Sequence, residues 1–139
     1  MTTVVYQVQI PYLWHANGGR YPGLIVQVQN PSYSANVVEI VAELDSGAEY
    51  SLFNGKLAKA IGLDLADGEE FRFEATNRSS INAIILRAII YHPDLGSFPM
   101  DLRFSTDDIR RNLLGRDFFN QMQLGFREHH MEVYVTPVP

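Results

Sequence analysis

The sequence contains no cysteine, and this absence excludes several kinds of chemistry. Without a thiol, the chain has no disulfide framework, no thiolate metal site and no cysteine nucleophile. Basic residues are also few, because 11 Lys and Arg stand against 16 Asp and Glu. The net charge of −5 and the lack of a basic cluster interleaved with aromatic residues give no support for nucleic-acid binding. We therefore expect no nucleic-acid partner.

Targeting and membrane signals are missing as well. The first nine residues have neither a basic region nor a long apolar region, so no signal peptide is predicted. The longest apolar stretch, from Ala83 to Tyr91, is interrupted by Arg87 and falls short of the roughly 18 residues of a membrane span. Since the lack of cysteine also fits a reducing compartment, these absences predict a cytoplasmic protein without a membrane segment.

Alternating apolar and polar residues, the pattern of half-buried β-strands, occupy most of the chain. Helices are few and short: Asn54 is a good N-cap for a helix that presents Leu57 and Ile61 on one face and ends at Gly62. A second helix is predicted from near Arg116 to Met122, and a helix start at Asp107-Asp108. Residues 11–23 are predicted as a long loop. The predicted strands cover 4–10, 24–29, 37–44, 70–75, 81–91, 98–104 and 131–135.

This pattern predicts a mainly β domain, either a barrel or a sandwich. We find no linker in the sequence, so residues 1–139 are expected to form one domain. No phosphate-binding glycine loop is present. The histidine pair His129-His130 is expected on a strand, where adjacent side chains point to opposite faces and cannot share a metal.

Leu44-Asp45-Ser46-Gly47-Ala48 places a carboxylate directly after a run of alternating apolar residues. Burying an ionised carboxylate at a strand end costs several kcal/mol unless it is paired or hydrogen-bonded. Two interpretations are open for this stretch alone. Asp45 either caps the following turn or is one half of an aspartic-protease dyad.

A second unusual stretch is Asn112-Leu113-Leu114-Gly115-Arg116-Asp117, which is followed by two phenylalanines. In isolation it indicates a buried strand that meets a helix. Together, the two stretches resemble the retropepsin-like aspartic proteases, whose members carry Asp-Thr/Ser-Gly-Ala at the active site and two apolar residues before Gly-Arg near the C-terminus. The resemblance covers about 110 residues, from Leu24 to Val135. It implies an acid-protease barrel with one or two short helices and a flap hairpin, preceded by an extension over residues 1–23.

The resemblance implies an aspartic endopeptidase that acts on polypeptides without a metal or an organic cofactor. Because this chain offers one Asp-Ser-Gly and the chemistry needs two carboxylates, the enzyme should be a symmetric homodimer with Asp45 contributed by each protomer. Two carboxylates about 3 Å apart cannot both ionise, so they share one proton and activate a water between them. Terminal strands over 3–10 and 131–135 are expected to help hold the dimer.

Roles for the neighbouring residues follow from the same resemblance. Ser46 would hydrogen-bond to the other protomer, and Gly47 would let substrate backbone approach closely. Ala48 cannot donate a hydrogen bond to the aspartate. Glu49 and Arg116 are expected to pair behind the active-site loop and support it, although a weak surface ion pair is an alternative.

The flap is expected to be the turn between the strands predicted at 70–75 and 81–91. Its tip contains no glycine, unlike the viral flaps that it resembles, so it would be stiffer or would close differently. Arg78 at this tip would contact substrate or lie in water. The predicted flap residues are Thr76, Asn77, Arg78, Ser79 and Ser80.

A rival hypothesis belongs to a different functional class. The same fold would also suit a dimerising or peptide-binding module with weak or absent proteolysis. The lack of glycine at the flap and the presence of Glu49 favour this alternative, whereas the intact Asp-Ser-Gly-Ala sequence favours the enzyme.

Overall fold

The computed structural model of the protein describes residues 3–74 and 79–137. Strands dominate this part of the chain, and its helices are short. The α-helices are α1 (Gly55–Ala60) and α2 (Arg116–Phe119), and 3-10 helices span Leu65–Asp67 and Glu128–His130. The strands are β1 (Val8–Pro11), β2 (Leu13–Trp14), β3 (Arg20–Tyr21), β4 (Gly23–Gln29), β5 (Val37–Leu44), β6 (Leu52–Asn54), β7 (Glu69–Glu74), β8 (Ser80–His92), β9 (Gly96–Ser105), β10 (Asn112–Leu114), β11 (Met122–Arg127) and β12 (Glu132–Pro137).

Six strands close into a barrel. Their hydrogen-bonded order is β4-β5-β10-β6-β9-β8, and the ring closes because β8 also pairs with β4, with Val28 opposite Ile90. Two of the pairings are parallel, β5 with β10 and β6 with β9, and the others are antiparallel. Strand β7 pairs with β8 outside this ring. The predicted mainly β barrel is thereby confirmed.

The barrel interior is filled by the apolar positions of the alternating strands. In β4, Leu24, Val26 and Val28 are fully buried, while Ile25 between them is 48% exposed. Each large side chain removed from water in this way contributes about 1.5–3 kcal/mol of transfer free energy. The largest fully buried side chains are Phe53, Phe104, Phe118, Leu24, Ile61, Ile90, Leu102, Leu114, Val26, Val28, Val133 and Val135.

A second antiparallel sheet forms from both ends of the chain, in the order β1-β12-β11. The Tyr12 hydroxyl, next to β1, donates a 2.6 Å hydrogen bond to the Glu128 carboxylate. Burial, followed by this bond and the carboxylate charge, raises the pKa of Tyr12 to about 12. Strand β1 is shorter than the strand predicted at 4–10, because its pairing with β12 begins at Val8 opposite Val135.

Helix α1 begins and ends as its sequence predicts. The Asn54 side chain accepts a 3.0 Å hydrogen bond from the Lys56 N–H and so caps the first turn. Gly62 follows the C-cap residue with φ of +79°, a left-handed conformation that glycine adopts without strain. The face formed by Leu57 and Ile61 packs on the barrel core.

Several predicted elements differ from the structure. The loop predicted at 11–23 contains the β2–β3 hairpin, with Leu13 opposite Tyr21. Helix α2 ends at Phe119 instead of Met122, because the chain enters β11 there and pairs with β12. No helix of the described residues is long and apolar enough to span a bilayer.

Two predictions about charged residues and histidines are wrong. Asp107-Asp108 does not start a helix, because the Asp108 carboxylate instead accepts a 2.7 Å hydrogen bond from Asn54 Nδ2 and pairs with Lys56 at the start of α1. His129 and His130 lie in a 3-10 helix instead of a strand, with their rings edge to face at 5.3 Å. The prediction that their side chains lie on opposite faces of a strand is therefore wrong.

Candidate active site

Asp45 lies directly after β5, where the chain leaves the barrel wall. Its backbone N–H donates a 2.9 Å hydrogen bond to the Leu114 carbonyl, which fixes its position against β10. Its Oδ1 accepts a 2.9 Å hydrogen bond from the Gly47 N–H. The side chain is half-buried, and Ser46 and Gly47 beside it are exposed. One carboxylate oxygen is thus held by the turn while the group as a whole stays open to a ligand.

The two unusual stretches of the sequence meet at this point. Strands β5 and β10 run parallel with Leu44 opposite Leu114, so Asp45 and Gly115 leave the sheet side by side. Beyond them the Arg116 N–H donates to the Ala48 carbonyl at 2.8 Å, and the Asp117 N–H donates to the Glu49 carbonyl at 3.2 Å. The loop after Asp45 is therefore supported by backbone hydrogen bonds from the second stretch.

The expected side-chain pair between Glu49 and Arg116 is absent. Among the described residues, ion pairs join Lys56 to Asp108, Arg87 to Asp101 and Arg111 to Glu43, and none joins Glu49 to Arg116. Both side chains are exposed, and an exposed ion pair gains too little in water to fix two long side chains. The connection between these segments is made by the backbone instead.

A buried network that the sequence did not point to holds the same junction. The Asp117 carboxylate accepts hydrogen bonds from the Ser51 N–H, the Ser51 hydroxyl and the Phe118 N–H. The Ser51 hydroxyl in turn accepts a 3.0 Å hydrogen bond from the Gly115 N–H. Nothing in the sequence singles out this serine, because its partners are 64 and 66 residues away.

Gly115 allows the two segments to approach closely. A Cβ at this position would lie 2.6 Å from the Ala48 carbonyl oxygen and 2.9 Å from the Tyr50 carbonyl carbon. Both neighbours are backbone atoms, which cannot rotate away. The glycine of the second stretch is therefore needed for contact with the loop that carries Asp45.

A cleft opens in front of Asp45. It is lined by Asp45 and residues 47–50 of the loop, together with Phe71 and Phe73 of β7 and Ile81 of β8. Its volume of about 830 Å³ lies within the range of about 300–1,000 Å³ that is common for ligand sites. The open carboxylate therefore faces a space that can hold a ligand.

The predicted hairpin over the cleft is present, with Glu74 of β7 opposite Ser80 of β8. The Ser80 hydroxyl accepts a 3.0 Å hydrogen bond from Arg72. Of the predicted flap residues, Ser79 and Ser80 are described, whereas Thr76, Asn77 and Arg78 lie outside the described residues.

An arginine that the sequence did not point to contacts two aromatic rings that line the cleft. The Arg103 guanidinium lies 3.6 Å from the centre of the Tyr50 ring and 4.4 Å from the centre of the Phe71 ring. The two rings also meet edge to face at 5.3 Å. In the described part of the chain, no group of three or more His, Asp or Glu side chains is arranged to hold a metal ion.

Solved structures with a similar fold are known. A retropepsin-like aspartic protease from Rickettsia conorii shares 18% identity with a TM-score of 0.66, and the match covers 97% of this chain and 96% of that one. The retroviral protease-like domain of Ddi1 from Leishmania major shares 18% identity with a TM-score of 0.54, covering 96% and 97%. The EIAV protease, solved with an inhibitor, shares 17% identity with a TM-score of 0.50, covering 72% and 86%.

No protein-family model and no curated protein matches the sequence. The similarity therefore lies in the path of the chain, over nearly the full length of two of these structures. The closed six-stranded barrel agrees with it. The chain has the fold of the retropepsin-like aspartic proteases.

Proposed function

We propose that the protein is an aspartic endopeptidase, and that a water activated between two Asp45 carboxylates, one from each protomer, hydrolyses the peptide bond. The observation that carries this proposal is the position of Asp45. Its Oδ1 is held by the Gly47 N–H, and its half-buried carboxylate opens onto the cleft. The aspartic proteases among the similar structures support the same reaction class.

The proposed enzyme is a homodimer, because the described chain presents one Asp45 to its cleft and the chemistry requires two carboxylates. A two-fold axis beside the loop would bring the second Asp45 to the first. Ser46 is exposed and makes no hydrogen bond within the described residues. Its hydroxyl is therefore free to bond to the other protomer.

The reaction then follows from a proton shared by the two carboxylates. The ionised carboxylate takes a proton from the bound water, whose oxygen attacks the scissile carbonyl carbon. The protonated carboxylate gives its proton to the carbonyl oxygen. The resulting gem-diol intermediate collapses as the carboxyl group that took the proton from water gives it to the amide nitrogen and the C–N bond breaks. The other carboxylate takes a proton from a gem-diol hydroxyl, so the pair again holds one proton.

The neighbouring residues position the loop and the substrate. Gly47 and Ala48 line the cleft, and their small size leaves room for an extended polypeptide. Glu49 and Arg116 support the loop through their backbone groups. The flap, comprising Thr76, Asn77, Arg78, Ser79 and Ser80, would cover the substrate from the opposite side.

Cleavage of an unfolded protein by the wild type and by Asp45→Asn tests the proposal. We expect the wild type to cut it and Asp45→Asn to lose activity, since an amide cannot act as the base. Asp67→Asn, which alters an exposed carboxylate outside the cleft, is the matched control and should retain activity. A wild type that forms dimers and cuts nothing from acid to neutral pH would contradict the proposal and favour a binding module.

A further inference from the structure

Arg103 lies directly behind residues that line the cleft and is not itself one of them. It lies on β9 opposite Leu52 of β6, which lines the cleft. Both aromatic rings that flank its guanidinium, Tyr50 and Phe71, line the cleft as well. Cation–π contacts with both rings restrict the orientation of the guanidinium.

Among the described residues, no acidic side chain pairs with the Arg103 charge. The buried Nε of Arg103 has no hydrogen-bond acceptor. None of the ion pairs formed among the described residues includes Arg103, although Glu49 and Glu74 line the same cleft. The Arg103 side chain as a whole is half-buried, and its two Nη groups make no hydrogen bond with the described residues.

We propose that Arg103 is a specificity residue that binds the carboxylate of a glutamate or aspartate side chain in the peptide. An arginine is charged at every physiological pH and offers paired N–H donors that match a carboxylate. The two rings restrict those donors in advance, so less side-chain entropy is lost on binding. A preference for acidic residues in cleavage rests on the proposed function. A preference for them in peptide binding does not depend on it.

Matched peptides measure the preference. A library of octapeptides, with every residue type at each position, is first digested by the wild type to find the position at which an acidic residue is preferred. The preferred sequence is then synthesised with either Glu or Gln at that position. We expect kcat/KM for the Glu peptide to exceed that for the Gln peptide by about tenfold or more, because a hydrogen bond to a charged group is stronger than one to a neutral group. Arg103→Gln should bring this ratio close to one, and Arg103→Lys should leave it intermediate.

Arg87→Gln is the matched control, because Arg87 is an exposed arginine on the neighbouring strand β8. It should keep the wild-type ratio. Because the readout is a ratio between two substrates, a general loss of folded enzyme cancels, which separates recognition from a purely structural role. A wild-type ratio near one at every position, or a ratio that Arg103→Gln leaves unchanged, would overturn the proposal.

The same peptides in a binding assay separate this inference from the proposed function. Fluorescence anisotropy with Asp45→Asn measures affinity in the absence of cleavage. A preference for Glu over Gln that Arg103→Gln removes would support the acidic subsite even if the wild type cuts nothing. Cleavage without that preference would retain the protease and reject the subsite.

Discussion

Asp117 accepts two hydrogen bonds from Ser51, one from its hydroxyl at 2.6 Å and one from its backbone N–H at 2.9 Å. Ser51 is fully buried, and its hydroxyl also accepts the Gly115 N–H. The pair therefore joins the start of α2 to the chain that returns from the Asp45 loop. It fixes the loop from behind without contacting the cleft.

Ser51→Ala should destabilise the fold by about 1–3 kcal/mol, because the Gly115 N–H loses its acceptor in a buried place. Urea unfolding of the purified chain gives this value from the shift in midpoint. Ser97→Ala removes an exposed hydroxyl from β9 and should change stability by less than about 0.5 kcal/mol. Equal effects of the two substitutions would show that the Ser51 network does not stabilise the junction.

Gly115→Ala should both destabilise the fold and impair cleavage. The new methyl group would meet the Ala48 carbonyl oxygen at 2.6 Å, and overpacking of this kind costs about 1–3 kcal/mol. The backbone must move apart at the loop that holds Asp45, so activity should fall further than the loss of folded protein explains. Gly19→Ala, where the nearest atom is a side-chain oxygen at 3.4 Å, is the control. Full activity per folded Gly115→Ala molecule would show that the close approach at Gly115 does not position Asp45.

His92 should make the fold less stable in acid. It is buried, which lowers the pKa of its imidazole, and its Nδ1 accepts the Asp94 N–H at 3.1 Å. Above the unfolded-state pKa of about 6.5, the imidazole is neutral in both the folded and the unfolded chain, so it causes no pH-dependent loss of stability. As the pH falls below this pKa, the unfolded chain binds a proton first, and stability decreases until the folded pKa is reached.

Urea midpoints at pH 7.5 and pH 5 for wild type and His92→Gln test this dependence. The wild type should lose more stability between the two pH values than the variant does, by at most about 1.4 kcal/mol for each pH unit. His129→Gln, at an exposed position, should follow the wild type. Parallel pH profiles for wild type and His92→Gln would refute the role of this imidazole.

The sequence predicted those features that depend on neighbours along the chain. The alternation of apolar and polar residues predicted both ends of β5 correctly. The N-cap at Asn54 and the glycine at position 62 predicted where α1 begins and ends. Asp45 and Gly115 were recognisable because a charge and a glycine interrupt apolar runs. The fold that these two stretches jointly imply is the one observed.

Features that depend on distant partners were not predictable in this way. Strand β6 has three residues and is defined by its pairing with β9 and β10, so no periodicity could show it. Ser51 and Arg103 look ordinary in sequence and gain their significance from Asp117, Tyr50 and Phe71. The expected ion pair between Glu49 and Arg116 does not form, because water competes for exposed charges. Backbone hydrogen bonds join these two segments instead.

The proposed active site contains two Asp45 residues from different chains, and mixing of wild-type and variant subunits measures whether both are required. Wild-type protein is allowed to exchange subunits with increasing amounts of Asp45→Asn at constant total concentration, and cleavage is measured. If both carboxylates are required, activity falls with the square of the wild-type fraction, so an equal mixture keeps about one quarter. Activity that falls in direct proportion to the wild-type fraction, with about one half left in the equal mixture, would contradict the shared site.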